Sequence, residues 1–235
     1  MRGKRAGSHR IAIVGIATVL TLVFLGLAAP KAMAADADDA QGIVDNSRVT
    51  LGHFLRDSNY EWIQKNLKNA KGVLIYPQVL KAGFFLGGSG GTGVLLARDS
   101  KTGEWSQPAF YTLGSVSFGL QFGGEASETV VLVMSQKAVD SLFTSSFKLG
   151  ADATVAAGPV GAGAKGNVTA DFISFSMSKG LFAGVSLDGA VVTVRDSLNE
   201  AYYGKKVSPV DIIVKDAVSN KGSARLREEL KKAAK

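Results

Sequence analysis

The sequence predicts an α+β domain: a largely antiparallel, strongly curled sheet of barrel or sandwich type, with two N-terminal helices packed on it. Three observations lead there. Residues 36–71 carry apolar side chains at helical spacing. From Gly72 onward the pattern changes to short runs of Val, Ile, Leu, Phe and Tyr, which suit a pleated sheet. Glycine clusters divide these runs, and many short strands between glycine turns favour a sheet that curls until few edges are left open.

The first 34 of the 235 residues stand apart from that domain. Arg2, Lys4, Arg5 and Arg10 precede an uncharged apolar run from Ile11 to Ala29, and Ala32-Met33-Ala34 fits a small-x-small cleavage pattern. This is the layout of a cleavable signal peptide, so export to the periplasm or cell envelope is expected. A retained anchor is the competing reading, because the apolar run is near the length that spans a bilayer. Removing residues 1–34 takes away five of the 27 basic side chains and none of the 20 acidic ones. The remaining 22 against 20 give a net charge of +2 rather than +7, too little for an ordinary nucleic-acid-binding domain. With no cysteine there is neither a disulfide framework nor a lipid-modified cysteine. The 201 residues left (235 less 34) are enough for one core without covalent staples.

Within 35–220, read as one domain, Asp36 to Arg56 is the first expected helix. Ala40, Ile43, Val44, Ser47, Leu51, Phe54 and Leu55 form its apolar stripe, and Asp36, Asp38 and Asp39 sit where the helix dipole favours negative charge. Ser58 with Glu61 matches a capping box, so a second helix is expected from there to Ala70, with Gly72 as its stop. Gly72 to about Phe122 reads as strands and turns, with the cluster Gly87–Gly93 turning one apolar run into the next. Thr129 to Met134 reads as a buried strand and Lys137 to Phe143 as a short helix. The Gly/Ala-rich stretch Gly150–Gly166 is expected to form a pair of small-residue strands, with a linker as the competing reading, Val168 to Met177 and Leu181 to Val194 further strands, and 221–235 a basic, exposed tail.

No catalytic constellation is legible. Beyond residue 34 the only histidine is His53, on the first helix, and Cys/His clusters for zinc do not occur. No cofactor is expected and the chain is read as no enzyme. Gly88-x-Gly90-x-x-Gly93 satisfies the dinucleotide pattern, but Val94-Leu95-Leu96 reads as a strand where that motif needs a helix, so no nucleotide is expected. A weaker role is left for Gly88, Gly90 and Gly91, whose backbone amides would form a nest for a phosphate. Lys65, Lys68, Lys71 and Lys81, near Tyr60, Trp62 and Phe84, are the candidate lipid-binding residues. The first three are spaced to share a helix face, and cations beside an aromatic suit a membrane interface. The competing reading packs Trp62 into the core and leaves the lysines as a solvated face. A second function, from another class, is a structural or interaction protein of the envelope that uses the Gly150–Gly166 strands as its partner surface.

Several separated blocks resemble the SYLF domain: Ala70–Val73, the Gly87–Gly93 cluster, Trp105–Tyr111, Phe147–Asp152 and Gly180–Leu187. The likeness runs from about Ala40 to Lys215. That family occurs in eukaryotic membrane-trafficking and actin-patch proteins and as exported stand-alone proteins in bacteria. The resemblance implies binding of anionic phospholipids or a membrane surface. With no SH3 or FYVE segment attached and export expected, it makes actin an unlikely partner.

Overall fold

A computed structural model describes residues 36–83, 86–118, 123–163, 168–178 and 187–235. Helix α1 occupies residues 36–56, as the stripe predicts: Ala40, Val44, Ser47, Leu51 and Phe54 are all buried. The second helix is shorter and more broken than expected. Asp57, not Ser58, caps it, its carboxylate accepting from the Asn59 N–H at 2.8 Å. One 3-10 turn (Ser58–Tyr60) leads into α2 (Glu61–Asn66), and another (Leu67–Asn69) ends it. Glu61 is then too far along to close a capping box and instead pairs with Lys65.

Eight strands follow: β1 (Gly72–Gly83), β2 (Leu86–Ala97), β3 (Ala109–Phe118), β4 (Gly123–Val133), β5 (Ser146–Lys148), β6 (Val155–Ala157), β7 (Phe172–Ser178) and β8 (Val191–Val194). They form one curled, half-barrel sheet in the order β5-β8-β3-β2-β1-β4-β7-β6, antiparallel except for the β6–β7 pair. Helices α3 (Gln136–Ser141), α4 (Asp196–Tyr203), α5 (Pro209–Ile213) and α6 (Ala224–Ala233) complete the domain. Strand alternation divides the core between the two faces. Val73, Ile75, Val94, Leu96, Phe110, Val130 and Leu132 pack with α1, α2, α4 and α6. Leu74, Tyr76, Leu95, Tyr111, Leu113, Val131 and Val133 pack with α3, β5 and α5.

Three expectations are corrected. Residues 87–93 are not a turn: they lie inside β2, paired on one side with β1 and on the other with β3. Glycine is needed at positions 91 and 93 because β1 bulges at Tyr76-Pro77, where the register shifts and proline offers no N–H. A Cβ on Gly91 would collide with the Gln78 carbonyl, and one on Gly93 with the Ile75 carbonyl and, at 2.6 Å, with the Tyr76 ring. The Gly/Ala stretch supplies only the short edge strand β6 among the described residues, followed by Gly158, where any side chain would strike the Phe175 ring. Nor is the C-terminal segment an exposed tail. Leu226, Leu230 and Ala234 of α6 and its flank are buried against the α1 side of the sheet.

Candidate functional site: a basic end and an adjoining cleft

The expected lipid-binding residues separate into three groups. Tyr60 and Trp62 belong to the core. Tyr60 is fully buried, its ring meets Phe54 edge-on at 4.5 Å, and its hydroxyl donates to the Ser176 carbonyl at 2.8 Å. Burial, helped by the nearby Asp57 charge, pushes its phenol up to about 12. Trp62 is 7% exposed and stacks obliquely on Phe175 at 5.7 Å. Neither ring is presented to a membrane; both cover the Phe175 end of the sheet. Phe84 lies outside the described residues.

Lys81 is distant from the other lysines. It stands ten residues beyond Lys71 on β1, opposite Ser89 and Glu125, which places it roughly 30 Å away along the strand. Gly88, Gly90 and Gly91 share that far end. Their amides belong to an extended strand and point alternately to the two neighbouring strands, so they do not converge on a phosphate.

Lys65, Lys68 and Lys71 are all exposed and lie together at the near end of the sheet. The helix face expected for them does not exist, because α2 stops at Asn66. Arg98 ties Lys68 and Lys71 together instead. Its backbone N–H donates to the Lys71 carbonyl at 2.8 Å, and its Nη1 donates to the Lys68 carbonyl at 2.7 Å. Lys71 is fixed from the other side by its own N–H bond to Val133. Lys65 is paired with Glu61 at 2.7 Å, whereas no ion pair involves Lys68 or Lys71 among the described residues. Sequence reasoning missed Arg98, whose role depends on β2 ending beside the 67–69 turn. The one trace it left was an arginine placed where a hydrophobic strand stops.

Next to this basic end a cleft of about 480 Å³ opens between the 98–106 loop, α3, the end of α5 and Arg227 of α6. The loop is braced by Asp99, whose carboxylate accepts from the Thr102 and Lys101 N–H groups and the Thr102 hydroxyl. Those bonds hold the carboxyl below its ordinary range. Arg227 Nε donates to the Trp105 carbonyl at 2.8 Å, and Lys231 pairs with Glu104, so α6 is tied to the same loop. His53, the histidine considered for chemistry, bonds Glu128 at 2.8 Å and fastens α1 to β4. Among the described residues no three His, Cys, Asp or Glu side chains come together to hold a metal.

Comparison with known proteins bears on this arrangement. A family model described as "Ysc84: Las17-binding protein actin regulator" matches residues 114–233, from the middle of β3 to the end of α6 and just over half of the chain. The human SH3 domain-containing YSC84-like protein 1 is 34% identical over 155 residues, 64% of this chain and 45% of that protein. Protein YSC84 of Saccharomyces cerevisiae is 40% identical over 146 residues, 59% of this chain and 31% of its own. The SH3 domain-containing protein PJ696.02 of Schizosaccharomyces pombe is 40% identical over 144 residues, 58% and 33% of the two chains. The aligned region thus spans less than half the length of each of these relatives. The expectation that actin is an unlikely partner is corrected here. It rested on expected export and on the lack of an attached SH3 or FYVE segment, while the matching family is described by actin regulation and one relative is named LAS seventeen-binding protein 3. The match ends with α6, the helix that closes one face of the core, and the chain belongs to the Ysc84, or SYLF, family.

Proposed function

We propose that this chain is a non-catalytic binding module whose basic end docks on anionic phospholipid surfaces. The observation that carries the reading is the set Lys65, Lys68 and Lys71, all exposed, with the Lys68 and Lys71 backbone held by the Arg98 bonds and neither of those two in an ion pair among the described residues. Contact is electrostatic, because the neighbouring aromatics are committed to the core. Each lysine at an anionic surface contributes about 1 kcal/mol, so two or three amount to roughly 30- to 150-fold in partitioning. Residues 1–34 act as an export signal in this reading, and the intact mass of the purified protein tests that step.

The central test is co-sedimentation with phosphatidylglycerol vesicles against phosphatidylcholine vesicles, at low and raised salt. Binding should require the anionic lipid, weaken with salt, and fall at least severalfold when Lys65, Lys68 and Lys71 are all changed to Gln. Equal or absent sedimentation on the two lipids rejects the proposal. A second reading, regulation of actin through a protein partner, is favoured by the family's description. Co-sedimentation with filamentous actin in the absence of lipid separates it from the first.

A further inference from the structure

The cleft beside Arg98 has an unspent set of charges of both signs. Two of its carboxylates are already occupied, Asp99 by its own loop and Glu104 by Lys231. Four charged groups keep capacity. A guanidinium has five N–H donors; Arg98 uses two, on Gly103 and Lys68, and Arg227 uses one, on Trp105. Asp140, on α3, accepts from Gln136 through one oxygen only, and the Asp216 carboxylate takes part in no hydrogen bond among the described residues. The arginines enter from the β2 end and α6, while the aspartates enter from α3 and the stretch after α5. Phe143, half-buried, and Val214, 61% exposed, line the same cleft.

A purely anionic ligand would face two unneutralised aspartates, and a purely cationic one two arginines. Only a ligand carrying both charges satisfies the two walls together. We propose that the cleft binds a phosphoethanolamine group, free or at the head of a phospholipid. Arg98 and Arg227 hold the phosphate, for which guanidinium forks are suited. Asp140 and Asp216 accept from the primary ammonium, and Phe143 and Val214 cover the carbon link. A volume of about 480 Å³ lies within the range of small-ligand sites. This goes beyond the anionic-surface reading, shares with it only Arg98, which there braces the lysine backbone and here contacts the ligand, and stands or falls independently of it.

Calorimetric titration of the full chain with glycerophosphoethanolamine tests the assignment. Saturable binding is expected, with glycerol 3-phosphate and glycerophosphocholine at least about tenfold weaker, since each lacks the N–H donors that charged hydrogen bonds require. Asp140→Asn with Asp216→Asn should abolish that preference, and asparagine tolerates the φ of 48° at position 216. Arg227→Gln should weaken every phosphate ligand. The Lys65, Lys68 and Lys71→Gln variant should bind glycerophosphoethanolamine as before, which keeps this site distinct from the basic end. Vesicles with and without phosphatidylethanolamine then identify the source: a gain on the former assigns a lipid head group, and no gain assigns a soluble ligand. The proposal is overturned if protein with an intact thermal transition shows no saturable binding to either form. Equal affinity for glycerol 3-phosphate overturns it too, as does an unchanged preference in the doubly substituted aspartate variant.

Discussion

Gly93→Ala and Gly90→Ala, two substitutions three residues apart on β2, should have opposite effects. At Gly93 a Cβ meets the Ile75 carbonyl and, at 2.6 Å, the Tyr76 ring, because the Pro77 bulge presses β1 against β2. At Gly90 the nearest atom is the Leu113 carbonyl at 3.5 Å, an ordinary contact. Both changes remove the same freedom from the unfolded chain, which alone stabilises by about 0.4–1 kcal/mol. Their difference therefore isolates the steric cost of overpacking, about 1–3 kcal/mol. For a folded unit near 200 residues that is a separation in Tm of about 2–12 °C. Urea unfolding followed by the fluorescence of Trp62 and Trp105, both buried, measures it directly. Gly90→Ala should raise the midpoint slightly, Gly93→Ala should lower it, and the slope should be unchanged in both. Coincident midpoints would refute the argument that the bulge dictates glycine at 93.

Three further predictions concern other parts of the fold. Tyr60→Phe loses the bond to the Ser176 carbonyl and should cost about 1 kcal/mol in urea unfolding while leaving vesicle binding unchanged. Leu230→Ala, in the docked C-terminal helix, should cost about 2–5 kcal/mol, and a chain ending at residue 220 should lose its cooperative thermal transition in calorimetry. The Asp171 carboxyl is held below its ordinary range, chiefly by the Ser135 hydroxyl and then by the Thr154 hydroxyl. A depressed folded value means that its stabilisation is complete above the unfolded pKa and is lost as pH falls through the folded one. Asp171→Asn should therefore be less stable than wild type at pH 7, with the gap in urea midpoint closing as the solution is acidified below the usual carboxylate range.

Local pattern carried the sequence reading far in some places and misled it in others. Helix α1 is legible because Ala40, Val44, Ser47, Leu51 and Phe54 repeat at helical spacing and nothing distant contradicts them. Val130–Val133 is legible as a strand with two buried faces because all four residues are apolar. Residues 87–93 were misleading, since a glycine run is the same whether it turns or lies flat beneath a bulge, and the bulge belongs to another strand. Tyr60 and Trp62 sit beside lysines in sequence, yet Phe175 and Ser176, more than a hundred residues later, draw them inward. The cleft was invisible because its walls come from four elements whose meeting depends on the order of strands. No short motif encodes it.

That strand order has a consequence for how the molecule is made. Outward from the central β2–β1 hairpin come β3 on one side and β4 on the other, then β8 and β7, with β5 and β6 outermost. A chain leaving the ribosome can assemble the middle of the sheet once residue 133 has emerged, then add flanks without threading anything between strands already joined. The face beneath α1 has to wait, since Leu226 and Leu230 follow the end of β4 by about ninety residues. Until then the part of that greasy surface under α6 is uncovered, and a nascent protein paused before residue 226 is the form most in need of a chaperone.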